Sequence, residues 1–369
     1  MLTNLRSVLY SSMIDREEEI DAILVAAIAR EHCLFVGPPG IGKSMVATGF
    51  TKAIGVNCFQ ILLTKYTNPD EVFGPLKISA LKQDKLERNL DGYAADCSIF
   101  FIDEIWKASS AILNSILTIL QERQYDNGGV RIDCPLRLAI AVSNEYPDEK
   151  SEELSAIFDR FMIRRNIKPI SPSSRRRLMY DSLPPVNQIA SQKDLDDLSD
   201  QADRIDISDD AKEACDKIID ELYSAGIRVS DRRMRKSTAI MRAAALIDGD
   251  SIVETKHLEY LKDVFWSHPD QIDKAGEIVT AVANPVGAKI NTILREVDQI
   301  ISEATDSTSR ITAIKKVEDC EREAHKLTKD GNGRAQKALA FIQRERIKLN
   351  AAALGLSSEK VNAMLGDVK

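Results

Sequence analysis

The sequence predicts an α/β protein in which a parallel sheet is flanked by helices and is followed by helical regions. Three short apolar runs carry this prediction, at residues 33–36, 98–102 and 138–143. Continuous apolar runs are typical of strands that are buried on both faces of a sheet. Stretches with helical spacing of apolar residues lie between the runs, and this alternation favours parallel strands joined by helices.

Composition places the chain among ordinary globular proteins and excludes several function classes. Its 369 residues suffice for two or three domains, and 44% of them are hydrophobic. The net charge of −7 argues against general binding to nucleic acid or to an anionic membrane. No apolar run approaches the roughly 18 residues of a membrane span, so no spanning segment is expected.

The cysteines and the first residues of the chain bear on its location. Six cysteines are spread along the chain without a CxxC pair, and four histidines are present. This pattern argues against a zinc site and favours reduced thiols. The chain does not begin with a basic segment followed by an apolar one, so no signal peptide is expected. We therefore expect a cytoplasmic protein.

Several helices and one hairpin follow from local patterns. Residues 1–30 carry apolar side chains at helical spacing, with Asp15 as the expected N-cap and Glu18 as its capping-box partner. Residues 105–123 carry a second amphipathic helical pattern. Residues 124–137 contain an Asn-Gly-Gly turn between two short strand-like segments, which predicts a β-hairpin.

A change of composition near residue 170 divides the chain. Prolines, a basic cluster at 175–177 that is expected to be a solvated hinge, and an acidic stretch follow this point. The predicted domains are an α/β domain over 1–170, an all-α domain over 171–268 and a helical domain over 269–369. Three apolar stripes after residue 285 predict three helices, with a turn at 330–333 between the last two.

The first chemical motif is G-x-x-x-x-G-K-S over residues 37–44. It follows a predicted strand and precedes a predicted helix, which is the setting that a phosphate-binding loop requires. Backbone N–H groups of such a loop and of the helix N-terminus can cradle phosphates. Lys43 would reach the β- and γ-phosphates of ATP, and Ser44 would ligate Mg²⁺. A chance turn of glycine and proline is the alternative, which the position between strand and helix disfavours.

Acidic and amide side chains follow the other two apolar runs. Asp103 and Glu104 end the second run, at the edge where parallel sheets bind ligands. Asp103 would hold Mg²⁺, and Glu104 would activate the attacking water as a general base. Asn144 ends the third run and could orient the same water. Such residues often begin a solvated loop, but their position after a phosphate loop favours catalysis.

Two arginine motifs lie further along the chain. In an Asp-Arg-Phe sequence, Arg160 could reach the nucleotide of a neighbouring subunit and stabilise charge on the transferring phosphoryl group, with Arg164 as the alternative. In a later Ser-Asp-Arg-Arg sequence, Arg232 could touch the γ-phosphate of its own subunit, with Arg233 as the alternative. A surface ion pair or a solvated helix start is the competing interpretation.

Together these motifs resemble the AAA+ superfamily of ATPases and, within it, the MoxR family. The match tightens over residues 67–76 and 101–114 and at Asn144-Glu145, where the sequence resembles the regulatory ATPase variant A (RavA) subgroup. The resemblance is strong over residues 1–170, moderate to about residue 265 and weak beyond. It implies an αβα nucleotide-binding domain, an all-α lid domain and a C-terminal region similar to a triple helix.

The resemblance implies a role for each motif residue. Lys43 and Ser44 would belong to Walker A, Asp103 and Glu104 to Walker B, Asn144 would be sensor 1, Arg160 the arginine finger and Arg232 sensor 2. The residues that would bind ATP are Gly37, Pro38, Pro39, Gly40, Ile41, Gly42, Lys43, Ser44 and Met45. Ser44 and Asp103 would hold Mg²⁺.

The resemblance also implies a homo-oligomeric ring, usually a hexamer, that acts on a protein client together with a von Willebrand factor A (VWA) domain protein. An insert at 74–95 and the hairpin would point toward the pore or top face of that ring. In the RavA subgroup a small β-barrel interrupts the C-terminal triple helix. The short loops after residue 285 leave no room for a barrel, so partners that bind through it are not expected here.

Two functions of different classes fit these features. The first is an ATP-hydrolysing, chaperone-like remodeller or metal-insertion factor. The second is a nucleotide-switched scaffold, in which hydrolysis only resets an oligomer that displays a partner. A helicase-like motor would share the insert and the hairpin, but the net charge of −7 and the hairpin sequence offer little for phosphates.

Overall fold

A computed structural model describes residues 1–148, 151–172, 174–304, 307–328 and 333–353. The chain forms two compact units, Met1–Gly276 and Glu277–Lys369. The finer boundaries predicted near residues 170 and 268 stay a prediction. Residues 329–332, on which the predicted turn depends, are outside the described residues.

The elements of the described residues are numbered along the chain. The strands are β1 His32–Val36, β2 Cys58–Leu62, β3 Ile99–Asp103, β4 Gln124–Asn127, β5 Val130–Asp133, β6 Leu138–Ser143, β7 Phe161–Asn166, β8 Asp206–Ile207 and β9 Ile252–Val253. The α-helices are α1 Leu2–Ser12, α2 Glu17–Ile28, α3 Lys43–Ile54, α4 Pro69–Phe73, α5 Ile78–Leu81, α6 Ser110–Glu122, α7 Glu152–Phe158, α8 Arg175–Tyr180, α9 Gln192–Asp203, α10 Asp209–Ser224, α11 Asp231–Asp248, α12 Ile272–Ala283, α13 Pro285–Glu303, α14 Ser307–Leu327 and α15 Gly333–Ala353. Shorter 3-10 turns cover Ala94–Asp96, Ile105–Lys107, Thr255–Asp263 and Pro269–Gln271.

A five-stranded sheet forms the centre of the first unit, in the order β2-β3-β6-β1-β7. All of its strand pairs are parallel. Every residue of β1 and β6 is buried, as is all of β3 except its last residue, Asp103. Helices α2 and α3 pack against this sheet. The predicted α/β fold with a helix-flanked parallel sheet is confirmed, and the three apolar runs are its central strands.

The strand order fixes two opposite edges of the sheet. Because β3, β6 and β1 are neighbours, the residues that follow them meet at the carboxyl edge. Strand β7 runs parallel to β1, and Phe161 at its start pairs with His32 at the start of β1. Arg160 therefore lies at the amino edge, one strand length away from the loop that follows β1. A strand of this length spans roughly 15–20 Å.

The N-terminal capping prediction is wrong. Helix α2 begins at Glu17, its N-cap residue is Arg16, and no side chain caps it. Asp15 instead has a left-handed backbone with φ of 54°. Its carboxylate accepts hydrogen bonds from the Ser171 backbone N–H at 2.8 Å and from the Ser174 hydroxyl at 2.6 Å. A long-range partner thus replaced the local one that the sequence pattern indicated.

The hairpin prediction is confirmed. Strands β4 and β5 pair antiparallel, with Gly128 and Gly129 in the turn at φ of 63° and 85°. This positive φ at both central positions is what a tight two-residue hairpin needs. The Asn127 side chain accepts from the Arg88 N–H at 2.7 Å and donates to the Arg88 carbonyl at 3.1 Å. The hairpin is therefore bonded to the segment predicted as an insert.

Helices dominate the rest of the described residues. Helices α9, α10 and α11 follow the sheet within the first unit. In the second unit, the three predicted helices are confirmed as α13, α14 and α15. Their shared apolar core contains Ile293, Val297, Val317, Ala324 and Ile342. Among the described residues, no helix is both long and apolar enough to cross a membrane.

Candidate functional site

The loop over residues 37–44 joins β1 to α3, as the motif predicted. Gly37 donates its N–H to the Ser143 carbonyl at 3.2 Å, and a β-carbon on Gly37 would lie 2.6 Å from the Ile167 carbonyl oxygen. Gly42 precedes α3 with φ of 86°, a conformation that favours glycine. The loop is thereby pressed against the ends of both neighbouring strands, with the N-terminus of α3 behind it.

Lys43 reaches across the loop. Its ammonium group donates to the carbonyls of Gly37 at 2.6 Å and Pro38 at 2.8 Å, and to the side-chain oxygen of Asn144 at 2.7 Å. Burial lowers the pKa of Lys43, and the nearby carboxylates of Glu104 and Asp103 oppose that shift. The lysine therefore links the phosphate loop to the end of β6.

Ser44 and Asp103 form the candidate metal site. The Ser44 hydroxyl donates to Oδ2 of Asp103 at 3.3 Å. Burial raises the pKa of Asp103, while the Ser44 hydrogen bond acts in the opposite direction. A hydroxyl and a carboxylate are oxygen donors of the kind that Mg²⁺ takes in nucleotide sites. This donor set, at the N-terminus of α3, fits magnesium.

Glu104 is held in a specific and strained position. Its backbone is left-handed, with φ of 54°, which is uncommon for a residue with a side chain and recurs at functional sites. Oε1 accepts a short hydrogen bond from the Asn144 amide, and Oε2 lies 3.3 Å from the Lys107 ammonium. With only 10% of its side chain exposed, Glu104 is a carboxylate fixed beside the phosphate loop.

Arg16 also contacts the phosphate loop, although the sequence reading did not single it out. Its guanidinium donates to the Ile41 carbonyl at 2.7 Å and to the Asp15 carbonyl at 2.6 Å, and the residue is 3% exposed. Met45, which was predicted to bind nucleotide, lies on the first turn of α3 and is 43% exposed.

Arg160 lies at the amino edge of the sheet, between α7 and β7. Its Nε and one terminal nitrogen both donate to Oε1 of Gln121, at 2.9 and 2.5 Å. Burial lowers the pKa of Arg160, and the nearby charge of Arg232 acts in the same direction. Because the phosphate loop lies at the carboxyl edge, Arg160 cannot reach the loop of its own chain.

Arg164, the alternative to Arg160, is a core residue. It is 1% exposed, and its guanidinium lies 4.4 Å from the ring centre of Phe158 and 4.6 Å from that of Trp266. Burial lowers its pKa well below the ordinary value, and neighbouring Arg233 adds to that effect. A side chain enclosed in this way cannot extend to another subunit, so Arg160 is the accessible arginine of the two.

The structure also separates Arg232 from Arg233. Arg233 is 1% exposed and donates to the Asp159 carboxylate at 3.0 Å and to backbone carbonyls of the β7 region and of Val264. Burial lowers its pKa to about 10. Arg232 keeps 31% of its side chain exposed, 4.0 Å from the other oxygen of Asp159.

The expectation that Arg232 touches the γ-phosphate of its own subunit does not fit this arrangement. Helix α11 begins at the amino edge of the sheet, where Lys236 pairs with Glu31 at 2.7 Å just before β1. Arg232 consequently lies beside Arg160, at the edge opposite the phosphate loop. The sequence motif could not reveal this, because the position of the helical region on the sheet depends on long-range packing.

Two further residues with a place in the site were missed at the sequence level. Lys107 lies three positions after Glu104, and that spacing could have indicated an ion pair. Gln121 lies on α6, distant from Arg160 in sequence, and no sequence signal links the two. The contact of Lys107 with the candidate base thus had a local sequence signal, whereas the contact of Gln121 with the candidate finger is visible only in the structure.

One cluster of potential metal ligands lies elsewhere among the described residues, formed by Asp248, Asp250 and His257. Nδ1 of His257 accepts a hydrogen bond from the Glu254 N–H at 2.8 Å, and Nε2 faces Asp250 at 2.9 Å. A neutral imidazole with Nδ1 as acceptor carries its proton on Nε2. His257 therefore has no lone pair for a metal and acts as a helix cap.

Family models match most of the first unit. A model of the MoxR domain found in MoxR-vWA-beta-propeller ternary systems matches residues 1–188. A model of an AAA lid domain matches residues 206–279. The first match covers the five-stranded sheet with the phosphate loop, and the second covers α10 and α11 with Arg232.

Several curated proteins are similar in sequence to this chain. Two uncharacterized proteins of Methanocaldococcus jannaschii are similar: one is 35% identical over 287 residues, covering 77% of this chain and 76% of the relative. The other is 32% identical over 329 residues, covering 88% and 84%. Chaperone MoxR1 of Mycobacterium tuberculosis is 26% identical over 188 residues, covering 50% and 49%. A crystal structure of a proposed ATPase from Cytophaga hutchinsonii shares the fold, with a TM-score of 0.61 at 16% identity over 76% of this chain and 92% of that one.

Proposed function

We propose that this chain, which belongs to the MoxR family of AAA+ ATPases, hydrolyses ATP at sites shared between adjacent subunits of a homo-oligomeric ring. The family resemblance implies that this ring is a hexamer. The observation that carries the proposal is the separation of the motif residues between two edges of one sheet. Lys43, Asp103 and Glu104 lie at the carboxyl edge, whereas Arg160 and Arg232 lie at the amino edge. Only a second subunit can bring the two sets together.

The carboxyl edge would bind the nucleotide. The backbone N–H groups of residues 40–45 would face the phosphates, and Lys43 would exchange a loop carbonyl for a phosphate oxygen. Ser44 and Asp103 would hold Mg²⁺, which neutralises phosphate charge when bound. The Ser44–Asp103 hydrogen bond and the oxygen donors of both residues support this assignment.

Glu104 would act as the general base. Its Oε1 is already oriented by the Asn144 amide, and its Oε2 faces Lys107. Such a carboxylate can accept a proton from a water molecule that attacks the γ-phosphate. Asn144 would orient Glu104 and couple it to Lys43, because the same amide contacts both side chains.

The amino edge would complete the site of the neighbouring subunit. Arg160 and Arg232 would stabilise the charge that develops on the transferring phosphoryl group. In the isolated chain, Gln121 and Asp159 hold Arg160. Sensor 2 would thus act in trans together with the finger, which replaces the same-subunit role expected from the sequence.

The work of the ring would be chaperone-like remodelling of a protein client, or metal insertion, together with a VWA-domain partner. The matched domain model is named for a system that contains a vWA protein, and one relative is named a chaperone. The RavA-like placement remains part of the proposal and depends on residues 67–76 and 101–114. The second candidate function, a nucleotide-switched scaffold, uses the same residues.

Single-turnover and steady-state ATPase assays on Glu104→Gln test the proposed chemistry. We expect the variant to bind ATP with the affinity of the unchanged chain and to lose turnover by about 10²-fold or more. Glu221→Gln, which breaks an exposed pair with Lys217 on α10, is the matched control and should hydrolyse ATP like the unchanged chain. Turnover that survives in Glu104→Gln would sink the assignment of the base.

A non-hydrolysable ATP analogue separates the two kinds of work. The unchanged chain is added to a candidate VWA partner with ATP, with the analogue or with ADP. Remodelling of the partner is monitored through the change in the partner's sensitivity to a protease. A remodeller requires continuous ATP turnover. Full activity with the analogue would favour the scaffold.

A further inference from the structure

Asp159 lies at the meeting point of three arginines. It follows α7 and directly precedes Arg160. Its Oδ1 accepts from Nε of Arg233 at 3.0 Å. Its Oδ2 lies 3.4 Å from a terminal nitrogen of Arg160 and 4.0 Å from one of Arg232. One carboxylate therefore lies beside both of the partly exposed candidate cations and one buried cation.

Arg233 fixes the position of this carboxylate. Its guanidinium is 1% exposed and donates to the carbonyls of Asp159, Phe161, Met162 and Val264 at 2.9 to 3.3 Å. A planar guanidinium with so many acceptors has a single orientation. Asp159, the C-cap of α7, is consequently attached to α11 as well, and its Oδ2 is left for the other two arginines.

Arg160 and Arg232 would repel each other without Asp159. Both are cations, and the charge of Arg232 contributes to the lowered pKa of Arg160. Two like charges in a partly buried place need a counter-charge to stay together. They keep 17% and 31% of their side chains exposed, so both can still meet a ligand.

We propose that Asp159 is a positioning residue that holds Arg160 and Arg232 side by side, so that both address one nucleotide of the neighbouring subunit. This inference rests on the proposed shared site and deepens it. Because Arg232 opens α11 and Arg160 precedes β7, Asp159 would also keep the helical region and the sheet in the relative position at which the pair is formed. A displacement of either element would separate the two arginines.

The test is trans complementation between two impaired variants. Asp159→Asn keeps an oxygen that can accept from Arg233 but removes the charge. Alone, it should bind ATP normally and lose about tenfold to a hundredfold in kcat, the range expected when catalytic groups are misplaced by about 1 Å. Lys43→Ala subunits should not bind ATP but carry an intact amino edge. Mixing the two should restore hydrolysis, with a maximum near equal amounts.

A purely structural role of Asp159 within its own subunit predicts no recovery on mixing. That result would overturn the inference, provided that the reference pair of Arg160→Ala with Lys43→Ala does recover. No recovery in either pair would instead count against the shared site itself. Asp319→Asn, which breaks an exposed pair with Arg322 in the second unit, is the matched control and should hydrolyse ATP like the unchanged chain.

Folding of the variant is checked by ATP affinity and by the thermal midpoint. If Asp159→Asn does not fold, Asp159→Glu keeps the charge and moves it by one methylene. The same mixing then decides the matter: partial loss alone with recovery by Lys43→Ala subunits supports the inference, and loss without recovery opposes it.

Discussion

The ammonium group of Lys43 donates to the side-chain oxygen of Asn144 at 2.7 Å, across the boundary between the phosphate loop and the end of β6. The nitrogen of the same amide donates to Glu104. An amide is suited to this place, because one end accepts from a cation and the other end donates to a carboxylate. Lys43, the candidate phosphate-binding residue, and Glu104, the candidate base, are thereby connected by the side chain of Asn144.

Replacement of Asn144 should impair turnover more than binding. Asn144→Ala removes the group that orients Glu104, so we expect kcat to fall by about tenfold to a hundredfold while ATP affinity changes by less than about fivefold. Asn57→Ala, whose amide donates to the Asp96 carbonyl away from the site, is the control. An unchanged kcat in Asn144→Ala would mean that Glu104 needs no such orientation.

Replacement of Lys43 should abolish nucleotide binding. Lys43→Ala removes the charge that would face the β- and γ-phosphates, and we expect a loss of at least about 10²-fold in affinity for a fluorescent ATP analogue. Lys52→Ala, an exposed lysine in the last turn of the same helix, should bind like the unchanged chain. Equal affinities of the two variants would contradict the assignment of the loop.

Replacement of the two candidate finger arginines, Arg160 and Arg164, should impair different properties of the protein. Arg160→Ala should keep its thermal midpoint and ATP affinity and lose about 10³-fold in kcat. Arg164→Ala should lower the free energy of unfolding by about 3 kcal/mol or more, because it empties a buried site between two aromatic rings. Urea denaturation and steady-state kinetics on both variants check this. The opposite pattern would exchange their roles.

His32 should make stability depend on pH. Burial, with Arg123 nearby, lowers its pKa well below 6.5 in the folded protein. Below about pH 6.5 the unfolded chain therefore takes up a proton that the folded chain does not. The free energy of unfolding should fall with decreasing pH by at most about 1.4 kcal/mol per unit from this group.

Urea denaturation between about pH 7.5 and pH 5 measures this slope. His32→Gln keeps an acceptor and a donor for the Ala139 N–H and the Leu120 carbonyl, which His32 contacts at 2.9 and 3.1 Å. The variant should have a lower free energy of unfolding at neutral pH, and this free energy should change less with pH than that of the unchanged chain. Equal slopes for the two chains would show that another group carries the effect.

The sequence predicted the features that depend on short stretches of chain. The three buried strands, the loop at residues 37–44 and the hairpin follow from local patterns and were found in their expected places. The fold class and the family followed from them. Residues that end adjacent strands, such as Asp103 and Asn144, could be placed together because strand ends share an edge in a parallel sheet.

Features that depend on distant contacts could not be predicted. Asp15 appeared to be a helix cap, yet it bonds to residues more than 150 positions away. Arg232 was expected at the phosphate loop of its own chain, whereas α11 begins at the opposite edge. Gln121 and Arg160 carry no shared sequence signal. In each case the choice of partner is decided by how helices pack on the sheet, which no local pattern encodes.

Sharing of the site between subunits is tested most directly by mixing Lys43→Ala with Arg160→Ala. Each variant alone should be nearly inactive, the first because it lacks ATP and the second because it lacks the finger. Mixed subunits should hydrolyse ATP, since the intact Arg160 of one subunit then meets the intact phosphate loop of the other. An ATPase rate equal to the sum of the separate variants, at every ratio, would contradict a shared site.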